Sequence, residues 1–216
     1  MGNFSLKFDK FWETFIKYNG YVKVLEGLKN TLTIAVLGLI IGIVIGTLIA
    51  TARVIPQYKV LPRILNKICS FYVALFRGTP IVVQLLVFYY VLLPLMGSRM
   101  TGIQVAVMVF GLNSAAYISE IMRGGIMSVD SGQMEAGRAV GLSFGTTMLK
   151  IVIPQAVKNI LPTMGNELIA LIKDTSVVSF VGATDLYVAF SFIGSSNYEF
   201  MVPYLVMALI YIVLVL

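Results

Sequence analysis

Thr31 to Ala52 reads TLTIAVLGLIIGIVIGTLIATA, 22 residues without a charged side chain. As an α-helix rising about 1.5 Å per residue, that stretch crosses a hydrocarbon core of about 30 Å. Gly38, Gly42 and Gly46 recur along it at every fourth position. Such a stripe of small residues favours close helix packing and by itself carries no chemistry. The stretch therefore reads as a membrane span.

The rest of the 216-residue chain agrees: 58% of residues are hydrophobic, 12% are charged, and the mean hydropathy is +0.91. Soluble domains carry about 25% charged residues, so a soluble fold would lack the polar surface it needs. Disorder is excluded by the same composition. With Cys69 as the single cysteine and no histidine, an internal disulfide, a His-based metal site and a Ser-His-Asp triad cannot be built. The net charge of +6 is not gathered into a basic cluster, so it reads as topology signal and not as a nucleic-acid footprint.

Four further apolar runs follow. Gly78–Ser98 and Met100–Ser119 are free of charge, the former starting near Ile68 and taking in Arg77. A fourth, about Asn159 to Val181, is interrupted by Glu167, Lys173 and Asp174, and a fifth runs from about Phe200 to Leu216. That last run is still apolar at Leu216, which suggests a truncated or short cytosolic tail. The expected fold is all-α: a polytopic membrane helical bundle of five transmembrane helices, without internal repeat or linker.

Basic residues alternate from loop to loop. Arg53, Lys59, Arg63 and Lys67 follow the first span, Arg99 the second, Arg123, Arg138, Lys150 and Lys158 the third, and Lys173 lies between the fourth and fifth. The positive-inside rule makes the first and third loops cytoplasmic, the N-terminus external and the C-terminus cytoplasmic. Five lysines in residues 1–29 oppose that orientation. The same segment carries Phe4, Phe8, Phe11, Trp12 and Phe15 at helical spacing. It reads either as an amphipathic helix in the membrane interface or as a helix packed on the bundle. Residues 30–216 form the membrane domain. A cleavable signal peptide is not expected, because Ala50-Thr51-Ala52 follows a full-length span.

The segment Ser128–Pro154 is the most informative loop. Asp130 is placed to cap a helix, with Gln133 at the third helical position to reach back. Ala136, Gly137 and Gly141 leave room for another surface, and Glu135 and Arg138 supply a charged rim. The helix either docks into a groove on a partner or rests on the bilayer.

Glu135-Ala136-Gly137, then Gly141, Ile151 and Pro154, resemble the EAA loop of bacterial ATP-binding-cassette (ABC) importer permeases. Arg77-Gly78-Thr79-Pro80 with Gln84, Leu112–Glu120, Arg123-Gly124-Gly125, Gly165-Asn166-Glu167 and Lys173-Asp174-Thr175-Ser176 are similar to motifs of the polar amino acid uptake branch. The resemblance covers about residues 22–216. Gly137 stands where that family usually has Ala, which should loosen the helix slightly, and Ser131 where Pro is common.

The resemblance implies a type I importer (MetI-like) transmembrane domain in the bacterial inner membrane, paired with a second permease subunit, identical or homologous. It implies a coupling loop at about 124–155, with Asp130, Gln133, Glu135, Ala136, Gly137, Arg138 and Gly141 docking on a separate ABC ATPase subunit. It also implies an extracytoplasmic solute-binding protein that delivers an amino acid. No G-x-x-x-x-G-K-[ST] phosphate loop is present, so ATP and Mg belong to the ATPase, and this chain is a non-catalytic subunit with no cofactor of its own.

Polar residues inside spans face a bundle interior or a water-filled cavity. Gln84, Asn113 and Glu167 lie near the midpoints of their spans. Asn113, Tyr117 and Glu120 share one helical face, and Thr163, Glu167, Ala170 and Asp174 another. With Ser114 and Met164 beside them, Glu167, Asn113, Ser114, Gln84, Tyr117, Met164 and Thr163 are the candidate substrate-binding residues. Glu167 would neutralise a cationic group, which favours basic or neutral polar amino acids. Structural alternatives stand beside each: Glu167 paired with Lys173 or Lys158, Asn113 and Ser114 as interhelical hydrogen bonds, and Lys173-Asp174 as a local pair or outer gate. Arg77 is expected to pair with Glu120, Arg123 and Arg138 to be solvated or interface charges, Tyr89 and Tyr90 to anchor at the interface, and Cys69 to be packed. A self-contained secondary carrier would need repeats that the chain lacks, and a membrane enzyme would need a nucleophile–base pair.

Overall fold

The computed structural model describes residues 4–216. Its helices, in chain order, are α1 (Phe4–Trp12), α2 (Gly20–Val54), α3 (Val60–Gly78), α4 (Ile81–Val87), α5 (Leu93–Leu95), α6 (Gly102–Met127), α7 (Ser131–Ala139), α8 (Phe144–Thr147), α9 (Ile153–Asp174), α10 (Leu186–Asn197) and α11 (Met201–Val215). Single π turns cover Glu13–Lys17, Phe88–Leu92 and Met148–Val152, and a 3-10 stretch covers Thr175–Val181. No strand occurs among the described residues, so the fold is all-helical as expected.

Two helices, Gly20–Val54 and Gly102–Met127, are each long and apolar enough to cross a membrane, and two bent pairs, Val60–Gly78 with Ile81–Leu95 and Phe144–Val181 with Leu186–Asn197, qualify as broken spans. With the 15-residue apolar helix Met201–Val215, these cover the five runs read from the sequence, while Leu186–Asn197 falls between the fourth and fifth runs and belongs to neither. The second run is not one straight helix. Pro80 cannot donate to a ladder and pushes Thr79 to an extended φ of −123° and ψ of 143°, so the helix stops at Gly78 and restarts at Ile81. The first is longer than expected: Lys23, Glu26 and Lys29 belong to the same unbroken 35-residue helix as the span.

The chain divides into two compact units. The first comprises residues up to Leu37, Ile81–Val109 and Ile169–Leu216. Its core joins Phe11, Val24, Leu186, Ala189, Phe190, Ile193 and Val202. The N-terminal aromatic segment thus packs on the bundle through Phe11 and Phe15, while Phe4, Phe8 and Trp12 stay exposed and Phe8 stacks on Trp12. Lys7 pairs with Glu199 at 3.3 Å, and Asn197 donates to Thr14 Oγ1 and to the Lys10 carbonyl. Inside the same unit Asn30 donates to the Thr184 carbonyl, and the Thr31 hydroxyl accepts from Leu186 N–H, so polar residues at the start of the first span hold the turn before α10. Tyr90, expected as an interface anchor, keeps an exposed ring but donates its hydroxyl to the Phe180 carbonyl at 3.0 Å.

The second unit comprises Gly38–Pro80 and Phe110–Leu168. Here the glycine stripe of α2 lies against α6. A Cβ on Gly38 would meet Phe110, one on Gly42 would come within 2.7 Å of Ser114 Oγ, and one on Gly46 within 2.9 Å of the Ala115 carbonyl. Tyr72 of α3 donates to the Leu112 carbonyl at 2.6 Å, fastening α3 to the same helix. Cys69 is half-buried and free. The short helices α7 and α8 close the unit, with Gly137 buried against Thr147.

Candidate functional site

Within the second unit, α6 and α9 carry the polar residues that the sequence singles out. At one level Ser114 donates its hydroxyl to Glu167 Oε1 at 3.0 Å, across from α6 to α9. Ser114 is fully buried and Glu167 partly so. Serine fits here because its side chain is short, and Gly42 behind it leaves the hydroxyl its room. The glycine stripe, read from the sequence as packing alone, therefore also shapes the site.

Asn113, one residue earlier, is directed differently. Its Nδ2 donates to the Phe76 carbonyl at 3.3 Å, at the last turn of α3, where the approaching Thr79-Pro80 break removes regular ladder partners. This is the interhelical bonding that stood as its alternative. Tyr117 carries the Arg77 guanidinium over its ring at 5.3 Å. Gln84 is a buried residue of α4 in the first unit.

On α9, Thr163 donates to the Asn159 carbonyl at 3.4 Å and lines an open cleft of about 320 Å³ with Glu120, Gly124, Ser128 and Asn159. Met164 instead lines a separate apolar cleft of about 330 Å³ with Ile43, Met122, Ile126 and Ile160. That lining is mostly apolar, with Thr47 and Thr51 its polar members.

Glu120 corrects another expectation. Arg77 does not reach it; Arg53, at the end of α2, pairs with its Oε1, and Arg123 Nη2 pairs with Oε2 at 2.8 Å. The reason lies on α2. Gly42, Gly46 and Arg53 occupy one helical face, so the stripe that brings α2 onto α6 also delivers the guanidinium to Glu120. The i, i+4, i+11 spacing was the available signal; Arg53 reads from sequence only as a loop charge. Arg123, expected to be solvated, is a member of this clamp, and Arg138 bonds the Leu142 carbonyl at 2.8 Å. Lys173 and Asp174 are both exposed at the end of α9.

The loop helix α7 is finished at both ends. Asp130 caps it by accepting from Gly132 N–H at 2.7 Å. At the other end Leu142 N–H bonds the Gly137 carbonyl and Gly141 N–H bonds the Arg138 carbonyl, both at 3.1 Å, with Gly141 at φ +86°. That is a Schellman stop, which needs a left-handed residue at Gly141. Gln133 does not return to Asp130 as expected; its Oε1 accepts from Gln155 Nε2 of α9 at 3.1 Å. Gly137 faces the chain's own Thr147, where a Cβ would fall 2.4 Å from Cγ2. Glu135, Ala136, Arg138, Val140 and Gly141 form the exposed side. Among the described residues, no group of His, Cys, Asp and Glu is arranged to hold a metal.

The family model described as "Binding-protein-dependent transport system inner membrane component" matches residues 42–216. An arginine transport system permease protein of Bacillus subtilis (strain 168), ArtQ, is 40% identical over 193 residues, 89% of this chain and 86% of the relative. A putative glutamine transport system permease protein of Rickettsia bellii (strain RML369-C), GlnP, is 37% identical, covering 95% of this chain and 92% of the relative. Among solved structures, an amino acid ABC transporter crystallised with histidines matches at a TM-score of 0.84 and 36% identity, over 94% of this chain and 91% of that one. An inward-facing MetNI methionine transporter shares the fold at a TM-score of 0.73 and 20% identity, over 89% of each chain.

Proposed function

Because the chain belongs to the family of binding-protein-dependent transport system inner membrane components, we propose that it is the permease subunit of an ATP-driven importer of polar amino acids, basic or neutral. The relatives named for arginine and glutamine, and the neighbour crystallised with histidines, support that substrate class. The observation that carries the reading is the Ser114–Glu167 bond: a carboxylate inside a span, oriented by a buried hydroxyl, is suited to the ammonium or guanidinium of a passing amino acid. Asn113, Tyr117 and Thr163, all of the second unit, contribute polar surface to the path.

The driving force enters through α7. An ATPase subunit, which binds ATP and Mg, docks on its exposed side, and the caps at Asp130 and Gly141 keep the short helix intact under load. The Gln133–Gln155 bond ties α7 to α9, and Glu167 lies twelve positions further along the same helix, about 18 Å at helical rise. A displacement of α7 therefore has a helical path toward the binding residue, with Pro162, which removes one ladder bond, between the two. A second permease subunit and an external solute-binding protein complete the importer. The loops that bear four basic residues each face the cytoplasm, with the N-terminus outside and the C-terminus inside.

The test is uptake by proteoliposomes. With the ATPase, binding protein and ATP, radiolabelled arginine or glutamine accumulates against its gradient. Accumulation by the chain without the ATPase contradicts the reading, as does failure of every amino acid to accumulate with it.

A further inference from the structure

Asn19 takes φ +54°, a left-handed conformation that asparagine tolerates, and turns the chain from the N-terminal segment into α2. Beside that turn a pocket of about 530 Å³ opens toward α10, lined among others by Lys10, Glu13, Thr14, Tyr18, Phe192 and Asn197. All of these belong to the first unit. The volume falls in the range of small-molecule sites, about 300–1,000 Å³. Lys23 of α2 stands at the margin, its Nζ 3.2 Å from the centre of the Phe192 ring. Most polar groups of the pocket are committed. Glu13 pairs with Lys17 at 3.2 Å, and Asn197 Nδ2 donates to Thr14 Oγ1 and to the Lys10 carbonyl. The Thr14 hydroxyl also donates to the Lys10 carbonyl, and Ser196 donates to the Phe192 carbonyl. The Lys10 ammonium and the Tyr18 hydroxyl remain without a partner among the described residues, and Lys23 has only the Phe192 ring. Each of these three groups can donate, and two are cations.

We infer that this pocket holds the phosphate of an anionic phospholipid, with Lys10, Lys23 and the Tyr18 hydroxyl as its donors. The inference rests on the membrane class of the chain and not on the importer reading. The helix α1 supplies the location. Phe8, Trp12 and Ile16, four positions apart, are exposed along one side, while Phe11 and Phe15 pack on the bundle. A helix whose exposed apolar side enters the acyl boundary keeps its polar side, here that of Lys10, at the level of the headgroups. The charges supply the selectivity. A phosphate oxygen accepts from ammonium and hydroxyl groups, and such charge-assisted bonds are the strong ones. A zwitterionic headgroup adds an ammonium of its own. For that cation the pocket keeps no free carboxylate, since Glu13 is on Lys17, and the Phe192 ring already carries Lys23. Glu199, nearby, is taken by Lys7, and the exposed Asp9 and Glu26 lie outside the lining.

Trp12 is the only tryptophan of the chain, and it sits on the same short helix as Lys10, so its fluorescence reports lipid at this place. The full chain is reconstituted in vesicles of phosphatidylcholine, and quenching of Trp12 is followed as brominated phosphatidylglycerol or brominated phosphatidylcholine is added. The unaltered chain prefers phosphatidylglycerol, and each lysine accounts for about fivefold of that preference. Lys10→Gln and Lys23→Gln each lower it, and the double variant loses it. Lys29→Gln, which removes the same charge from α2 outside the pocket, keeps it. Equal quenching by the two lipids in the unaltered chain overturns the inference. So does an equal loss in Lys29→Gln, which would make the preference one of general surface charge. Inorganic phosphate, compared with chloride at the same ionic strength, leaves the preference in place; its abolition would make the ligand a free anion and not a lipid. A double variant that keeps the lipid preference but no longer binds an external solute-binding protein would make the pocket a protein-docking surface and overturn the inference as well.

Discussion

Ser114 donates to Glu167 Oε1 at 3.0 Å, and the Cβ that Gly42 lacks would have occupied a point 2.7 Å from that same hydroxyl oxygen. Three helices therefore fix one carboxylate. α2 supplies space, α6 the donor and α9 the acceptor, all within one compact unit. A hydrogen bond to a charged group contributes about 1.5–3 kcal/mol, so Ser114→Ala should raise the KM for arginine uptake by roughly tenfold or more. An unaltered KM would remove Ser114 from the binding residues.

Gly42→Val should cost more than the loss of the bond, because the added carbons displace Ser114 and strike Ile118, where a Cβ alone lies 3.1 Å from Cδ1. Overpacking of this kind costs about 1–3 kcal/mol. Gly165→Ala, at a helical position with nothing within 4 Å, should instead stabilise by about 1 kcal/mol. Thermal unfolding of the purified protein in one detergent compares the two; equal midpoints contradict the packing assigned to α2.

Arg53 and Glu120 are 14% and 19% exposed, so their pair is largely withdrawn from water. Removing one member of such a pair leaves an uncompensated charge, at a cost of about 3 kcal/mol or more. Arg53→Ala should lower the unfolding midpoint more than Arg77→Ala, whose guanidinium rests on the Tyr117 ring. If the Arg77 variant is the less stable of the two, the clamp has been assigned to the wrong arginine.

Gly141 holds φ +86° with open space around its Cα. The constraint there is backbone conformation, not volume. Gly141→Asn, which tolerates the left-handed region, should preserve ATPase coupling, and Gly141→Val should abolish it while membrane insertion persists. ATP turnover of the assembled complex reads both; equal turnover in the two variants would detach the α7 stop from coupling.

The membrane class is legible because apolar run length reports it directly, although α10, Leu186–Asn197, lies in none of the five runs. The break in the second run is written at Thr79-Pro80, but hydropathy averages across it. Asp130 as a cap and the glycine stripe as a packing face were also legible, since both depend on local spacing. Spacing alone does not give which helix lies opposite. Glu120 could be seen to need a cation, but choosing Arg53 over Arg77 required knowing that α2 packs on α6. Gln133 looked like a local capping residue and bonds instead to Gln155, 22 positions away. Met164 shares a helix with Glu167, yet a helix has several faces, and only packing places Met164 in the mostly apolar cleft with Ile43 and Ile160.

Glu167 is proposed to recognise the amino acid inside the membrane. Its most direct test is arginine-stimulated ATP hydrolysis by the reconstituted complex carrying Glu167→Gln, a change that keeps shape and hydrogen bonding and removes charge. Stimulation by arginine should be lost, with turnover in the absence of amino acid retained. Stimulation equal to that of the unaltered complex would contradict the account.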